Sequence, residues 1–246
     1  MEPFTFADAL IPVREDLKAA NRRQWQRLAE AGSWWNGRDR VAIAREVRAA
    51  QQCAFCAERK AALSAAAVRG THNRDSDLPG AVVEIVHRLI TDNARLSKDW
   101  FDGLIGEGLS DAEYVEVVGI VVNTFSVDEL HRGVGAAREP LPEPTTGSPD
   151  RRRPSGAAPH GSWVPTVAAV DLDPEDADLY GGEAFAPNVI QALSLAPEEV
   201  RGLRDLSAAY YLPTNGMGTF EQVRSLTRSQ VELIAARTSA LNECFY

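Results

Sequence analysis

The sequence predicts an all-α fold, on three observations. Alanine is abundant, while the 246 residues include only 5 Tyr and 8 Phe, a balance that favours helix over strand. Apolar residues recur at helical spacing through long stretches free of Gly and Pro. Helix start and stop signals bracket those stretches and leave no convincing strand between them.

The elements follow in order. Residues 14–32 alternate apolar and charged positions at helical spacing and stop at Gly32. The stretch 38–69 is the longest helical candidate, Ala-rich, without internal Gly or Pro, and closed by Gly70 as a helix-ending residue. "THNRDSDLPG" then reads as a polar loop. Residues 80–94 form a helix with Val82, Val83, Val86, Leu89 and Ile90 on one side, and a shorter helix covers 97–106. Ser110 with Glu113 three residues on is a capping box, which opens a helix to about Gly133. The run Val117–Val122 has strand propensity, but the cap and the flanking length favour helix. Further on come a helix over 187–196 and one over 197–211, the latter with Pro197 at its first position and Glu198 and Glu199 in its first turn. "LPTNGMGTF" breaks the pattern, and Thr227 with Gln230 caps a last helix to about Leu241.

Residues 139–163 are rich in Pro, Gly and Ser, carry the triplet Arg151–Arg153, and are expected to be a linker or long surface loop. The chain thus divides into 1–138, a linker at 139–163, and 164–246. A net charge of −9 argues against nucleic acid and anionic membrane as main partners. There is no apolar run of about 18 residues to cross a membrane. The N-terminus has no apolar signal region, so a cytoplasmic address is expected. There, three cysteines do not make a disulfide framework.

The chemistry concentrates at Cys53-Ala-Phe-Cys56. Three residues of spacing put both sulfurs on one helical face, close enough to bridge. Zinc uses the same spacing but needs four ligands. Of Cys244, His72, His87, His131 and His160, none forms a second Cys-x-x-Cys or a close His pair. Thiol redox chemistry therefore ranks above zinc, and neither metal nor cofactor is expected. Two inert buried thiols are the bland alternative. Glu46 lies seven residues before Cys53, about 20° away around a continuous helix, and is the candidate proton relay. Glu58 follows Cys56 by two. As plain helix charges, both would instead pair with nearby Arg or Lys. His72 reads as an exposed loop residue, His87 as a packed histidine, and His131 as a cation at a helix C-terminus.

A weak internal repeat lays Cys53 on Cys244. It matches 41–55 to 232–246, with Ile43 on Ile234, Ala44 on Ala235, Ala49 on Ala240 and Phe55 on Tyr246. Glu232, eleven residues and then Cys244 resembles the start of Glu-x(11)-Cys-x-x-Cys-x(3)-His. That pattern marks the alkylhydroperoxidase D-like branch of the carboxymuconolactone decarboxylase superfamily. The stretch 108–135 is similar to the helix that follows the redox pair there.

The resemblance implies one helical domain and the front of a second. It further implies homo-oligomers, reduction of a small-molecule peroxide, and re-reduction by a thiol–disulfide partner protein or a low-molecular-weight thiol. Carried over by position, Cys56 attacks, Cys53 resolves, Glu232 relays protons and Cys244 is a second resolving thiol. Two positions depart from the pattern: Val41 stands where the Glu belongs, and Lys60 where the His belongs. The resemblance also implies that "ECFY" begins a Cys-x-x-Cys or Cys-x-x-selenocysteine motif, with a reading frame that continues beyond it. Two alternatives stand beside peroxide reduction or disulfide exchange. One is a non-catalytic helical assembly module, and the other a decarboxylase- or lyase-like member.

Overall fold

In a computed structural model of the chain, residues 3–212 and 225–242 are described. Among them the regular structure is helical except for a short antiparallel ladder, in which Ala157–Ala158 (β1) pairs with Thr166–Val167 (β2). The helices are α1 (Glu15–Ala29), α2 (Gly37–Ala50), α3 (Ala54–Ala61), α4 (Gly80–Thr91), α5 (Lys98–Gly106), α6 (Asp111–Val134), α7 (Asn188–Gln191), α8 (Pro197–Tyr210) and α9 (Arg228–Leu241). No helix among the described residues is long and apolar enough to cross a membrane.

The long α6 is the central element. Ser110 and Glu113 close the expected capping box at its start. At its end Gly135 adopts φ 72°, and the Ala136 N–H reaches back to the His131 carbonyl at 2.9 Å. That left-handed turn favours glycine. The β-branched run 117–122 stays helical because Val117, Ile120 and Val121 are all buried. A helix covered on most sides tolerates such residues. Helices α2 and α4 pack on each other and on α6, while α8 packs on α1 and α6. One buried apolar cluster runs through Ile43, Val47, Val86, Ile120, Leu195, Val200 and Leu206.

A buried ion cluster ties three of these helices together. Arg40 on α2 bonds Glu116 on α6 at 2.5 Å and Glu199 on α8 at 2.7 Å, with all three side chains at most 2% exposed. Gly32 leaves room for it, since a Cβ there would lie 2.0 Å from Glu116 Oε1. Burial pushes the Glu116 carboxyl up to about 7 although Arg40 pulls it down.

Two sequence expectations need correction. The helix over 38–69 is not continuous: it stops at Ala50, Cys53 becomes the extended N-cap of α3, and α3 ends at Ala61. The break is stabilised from outside, where the Asn73 side chain accepts from Ala54 N–H at 3.1 Å and the Asn73 N–H points at Cys53 Sγ at 3.4 Å. Tertiary partners override local helix propensity here. The helix expected over 187–196 is only the single turn of α7. Residues 139–163, expected as a linker or long surface loop, are irregular apart from β1 and are held against the helices. Pro140 and Thr145 bond Trp25 and the Ala29 carbonyl, and Arg153 pairs with Asp111 at 2.6 Å.

Candidate functional site

The turn between α2 and α3 places Cys53 at the head of α3 and Cys56 in its first turn. Both are free thiols and both are buried. Two histidines converge on them from later in the chain. The loop after α3 brings His72, whose Nδ1 lies 3.3 Å from Cys56 Sγ and 3.7 Å from Cys53 Sγ. Helix α4 brings His87, whose Nδ1 lies 3.3 Å from Cys56 Sγ. The two imidazole rings meet at a tilt of 48° with centroids 4.2 Å apart.

Each histidine turns its other nitrogen to a carboxylate. His72 Nε2 meets Glu84 at 2.7 Å, and His87 Nε2 meets Glu46 at 3.1 Å. Glu84 and His87 are three residues apart on α4 and so share its inner face. Glu84 is also held by Arg59 at 2.8 Å and by the Trp100 indole N–H at 3.2 Å. Glu46 is fully buried, and its other oxygen accepts from the Asp75 N–H at 2.8 Å and the Ser76 hydroxyl at 2.5 Å. Asp75 and Ser76 line an open polar cleft of ≈ 800 Å³, together with Arg38, Arg45 and Arg74. A hydrogen-bonded line thus runs from the cleft through Ser76, Glu46 and His87 to Cys56.

The electrostatics follow from these contacts. Burial pushes the Cys53 thiol up, but backbone N–H groups of Cys56 and Asn73, with His72 and the Cys56 side chain, more than offset this and hold it at about 7. Burial works against a charged His72, yet its bonds to Cys56, Glu84 and Cys53 raise it to about 10. Burial likewise opposes ionisation of Glu84, while His72 and Arg59 bring it down to about 2. His87 is lowered, chiefly by burial, in spite of Glu46. It is therefore a neutral imidazole near pH 7, with its proton on Nε2 toward Glu46 and its Nδ1 lone pair toward Cys56 (assigned from the hydrogen-bond network).

Of the residues singled out in the sequence, Cys53, Cys56 and Glu46 come together. Glu46 reaches the sulfurs through His87, not directly along a helix. His87 is packed, as expected. His72 is not exposed: its side chain is 10% accessible and it touches both sulfurs. Glu58 sits exposed on α3. His131 bonds the Val127 carbonyl and stacks on Phe6, with no contact to the cysteines. Glu232 lies on α9, paired with Arg228 at 2.6 Å and bonded by the Tyr211 hydroxyl. Cys244 lies outside the described residues.

Sequence reasoning missed Glu84, Arg59 and Asn73. The three-residue spacing of Glu84 and His87 on one apolar helix was the signal available for the first. In comparisons with known proteins, no family model, no curated protein and no solved structure matches this chain.

Proposed function

We propose that Cys53 and Cys56 form a thiol–disulfide couple that reduces a small peroxide or a disulfide. One observation carries it: a single imidazole, His72, reaches both sulfurs while Glu84 holds its far side. Such a group serves both halves of a two-thiol reaction, since protons must leave and arrive at either sulfur.

With a peroxide the steps balance as follows. A thiolate attacks one peroxide oxygen, the O–O bond breaks, and the departing alkoxide takes a proton from the His72 imidazolium. The sulfenic acid that remains condenses with the second thiol, which forms the S–S bond and releases water. Two electrons leave the pair, and ROOH becomes ROH and water. A dithiol or low-molecular-weight thiol then restores the pair by exchange.

By position in the alkylhydroperoxidase D-like pattern, attack falls to Cys56. The local donors favour Cys53 instead: it caps α3 and accepts the Asn73 N–H. We therefore assign attack to Cys53 and resolution to Cys56. A reducing cytoplasm fits this chemistry.

The test uses the metal-stripped, reduced chain and one equivalent of peroxide. We expect an intramolecular disulfide in the parent chain, and in Cys56→Ser a sulfenic acid at Cys53 that a sulfenate-specific dione traps. Capture at Cys56 in Cys53→Ser, with none at Cys53 in Cys56→Ser, reverses the roles. A pair left fully reduced by peroxide and by disulfide substrates alike ends the redox assignment.

A further inference from the structure

We propose that the reduced chain binds one zinc ion through Cys53 Sγ, Cys56 Sγ, His72 Nδ1 and His87 Nδ1. The sequence offers no compact four-ligand motif, so the case rests on how the fold gathers four separate donors. All four atoms lie within 4.8 Å of one another. Around a tetrahedral zinc, bonds of about 2.3 Å to sulfur and about 2.0–2.1 Å to nitrogen place neighbouring S and N about 3.5 Å apart. The S···N separations of 3.3, 3.3 and 3.7 Å bracket that edge. Three of the four S···N edges thus already stand near ligand spacing.

The surroundings point the same way. Both histidines present the same nitrogen inward, and both give the other to a carboxylate, Glu84 or Glu46. A carboxylate behind each imidazole fixes its orientation and makes it a better donor to a metal. Two thiolates with two imidazoles suit zinc and disfavour magnesium or calcium, which take oxygen ligands. Four protein ligands leave no open position, so the ion would be structural and would hold both sulfurs out of reaction. The donors come from the head of α3, the loop after it and α4, so one ion ties that loop to both helices.

This inference requires the four side chains to converge and does not require the pair to turn over. Metal and disulfide exclude each other, because the S–S bond consumes both thiolates. If both proposals hold, oxidation of the loaded pair by ROOH and two protons gives disulfide, free zinc, ROH and water.

The experiment titrates the reduced, anaerobic full chain with cobalt(II) and then displaces it with zinc. We expect one cobalt per chain, intense visible d–d bands of tetrahedral cobalt, a thiolate-to-cobalt charge-transfer band, and loss of all three on adding one zinc. Cys53→Ser and His72→Asn should each weaken zinc binding at least tenfold in a chain whose helicity is unchanged. Weak octahedral cobalt absorption, no stoichiometric ion in the parent chain, or undiminished binding in folded variants would overturn the proposal. The peroxide test of the metal-stripped chain is read separately, so either proposal can fail alone.

Discussion

Glu46→Gln is a one-atom change with a defined effect on His87. Glu46 Oε1 is pinned by two donors, the Asp75 N–H at 2.8 Å and the Ser76 hydroxyl at 2.5 Å. The glutamine must keep its carbonyl on that side, because turning its NH₂ toward the Asp75 N–H would leave buried donors facing each other, at about 1–3 kcal/mol. Its NH₂ therefore replaces Oε2, 3.1 Å from His87 Nε2. His87 must then accept at Nε2 and carry its proton on Nδ1, which aims an N–H at Cys56 Sγ and removes the metal-ligating lone pair. Loss of such a supporting carboxylate weakens metal binding about 10–100-fold, or about 1.4–2.7 kcal/mol. The assay is competition for zinc against a chromophoric chelator, with thermal unfolding of the metal-free chain as control. Exchanging a charged for a neutral acceptor costs the fold about 1 kcal/mol, or about 2–4 °C. A folded E46Q chain that holds zinc as tightly as the parent would refute the tautomer reasoning.

Arg40→Met should cost about 3–5 kcal/mol, because it strands two buried carboxylates, and so lower Tm by roughly 6–20 °C at pH 8. Burial favours the protonated Glu116, whose folded pKa of about 7 lies above its ordinary 4.5. That contribution is present below about pH 4.5 and fades as pH rises through 7, so the R40M deficit should shrink at pH 5; a larger deficit at pH 5 than at pH 8 contradicts this. In the metal-stripped chain, alkylation of Cys53 should rise with pH about a midpoint near 7, and His72→Asn should move that midpoint upward; a parent midpoint above 8.5 speaks against the imidazole's hold on the thiol. Gly135→Ala forces φ 72° on a residue with a Cβ and sets that Cβ 2.5 Å from Leu10. A loss of at least about 1–2 kcal/mol by urea unfolding is expected, and an unchanged midpoint would mean that the turn relaxes freely.

Much of the fold was legible because its signals are local. The capping boxes at Ser110 and Thr227 are complete in the structure, and their information sits within four residues. The break at 51–53 was not legible, because what stabilises it is Asn73, twenty residues downstream. The site divides the same way. Cys53 and Cys56 are visible as a pair by spacing alone. Their partners come from a loop and the next helix, and nothing in "THNRDSDLPG" distinguishes a buried His72 from a solvated one. Glu46 was found through its seven-residue spacing to Cys53, an argument that assumed an unbroken helix. The residue does belong to the site, although the path to the sulfurs runs through His87.

The four inward donors and the two carboxylates behind them set a charge balance. A divalent ion with two thiolates sums to zero, and so does a disulfide. Glu46, Glu84 and Arg59 would meet the same local charge in either state, so neither requires them to rearrange. Only the metal-free dithiolate adds negative charge, beside the buried Glu46 and the half-buried Glu84, with the His72 imidazolium set against it. One thiolate is thus matched by one imidazolium, and it is the second thiolate that lacks a counter-charge; oxidation and metal capture both remove that excess.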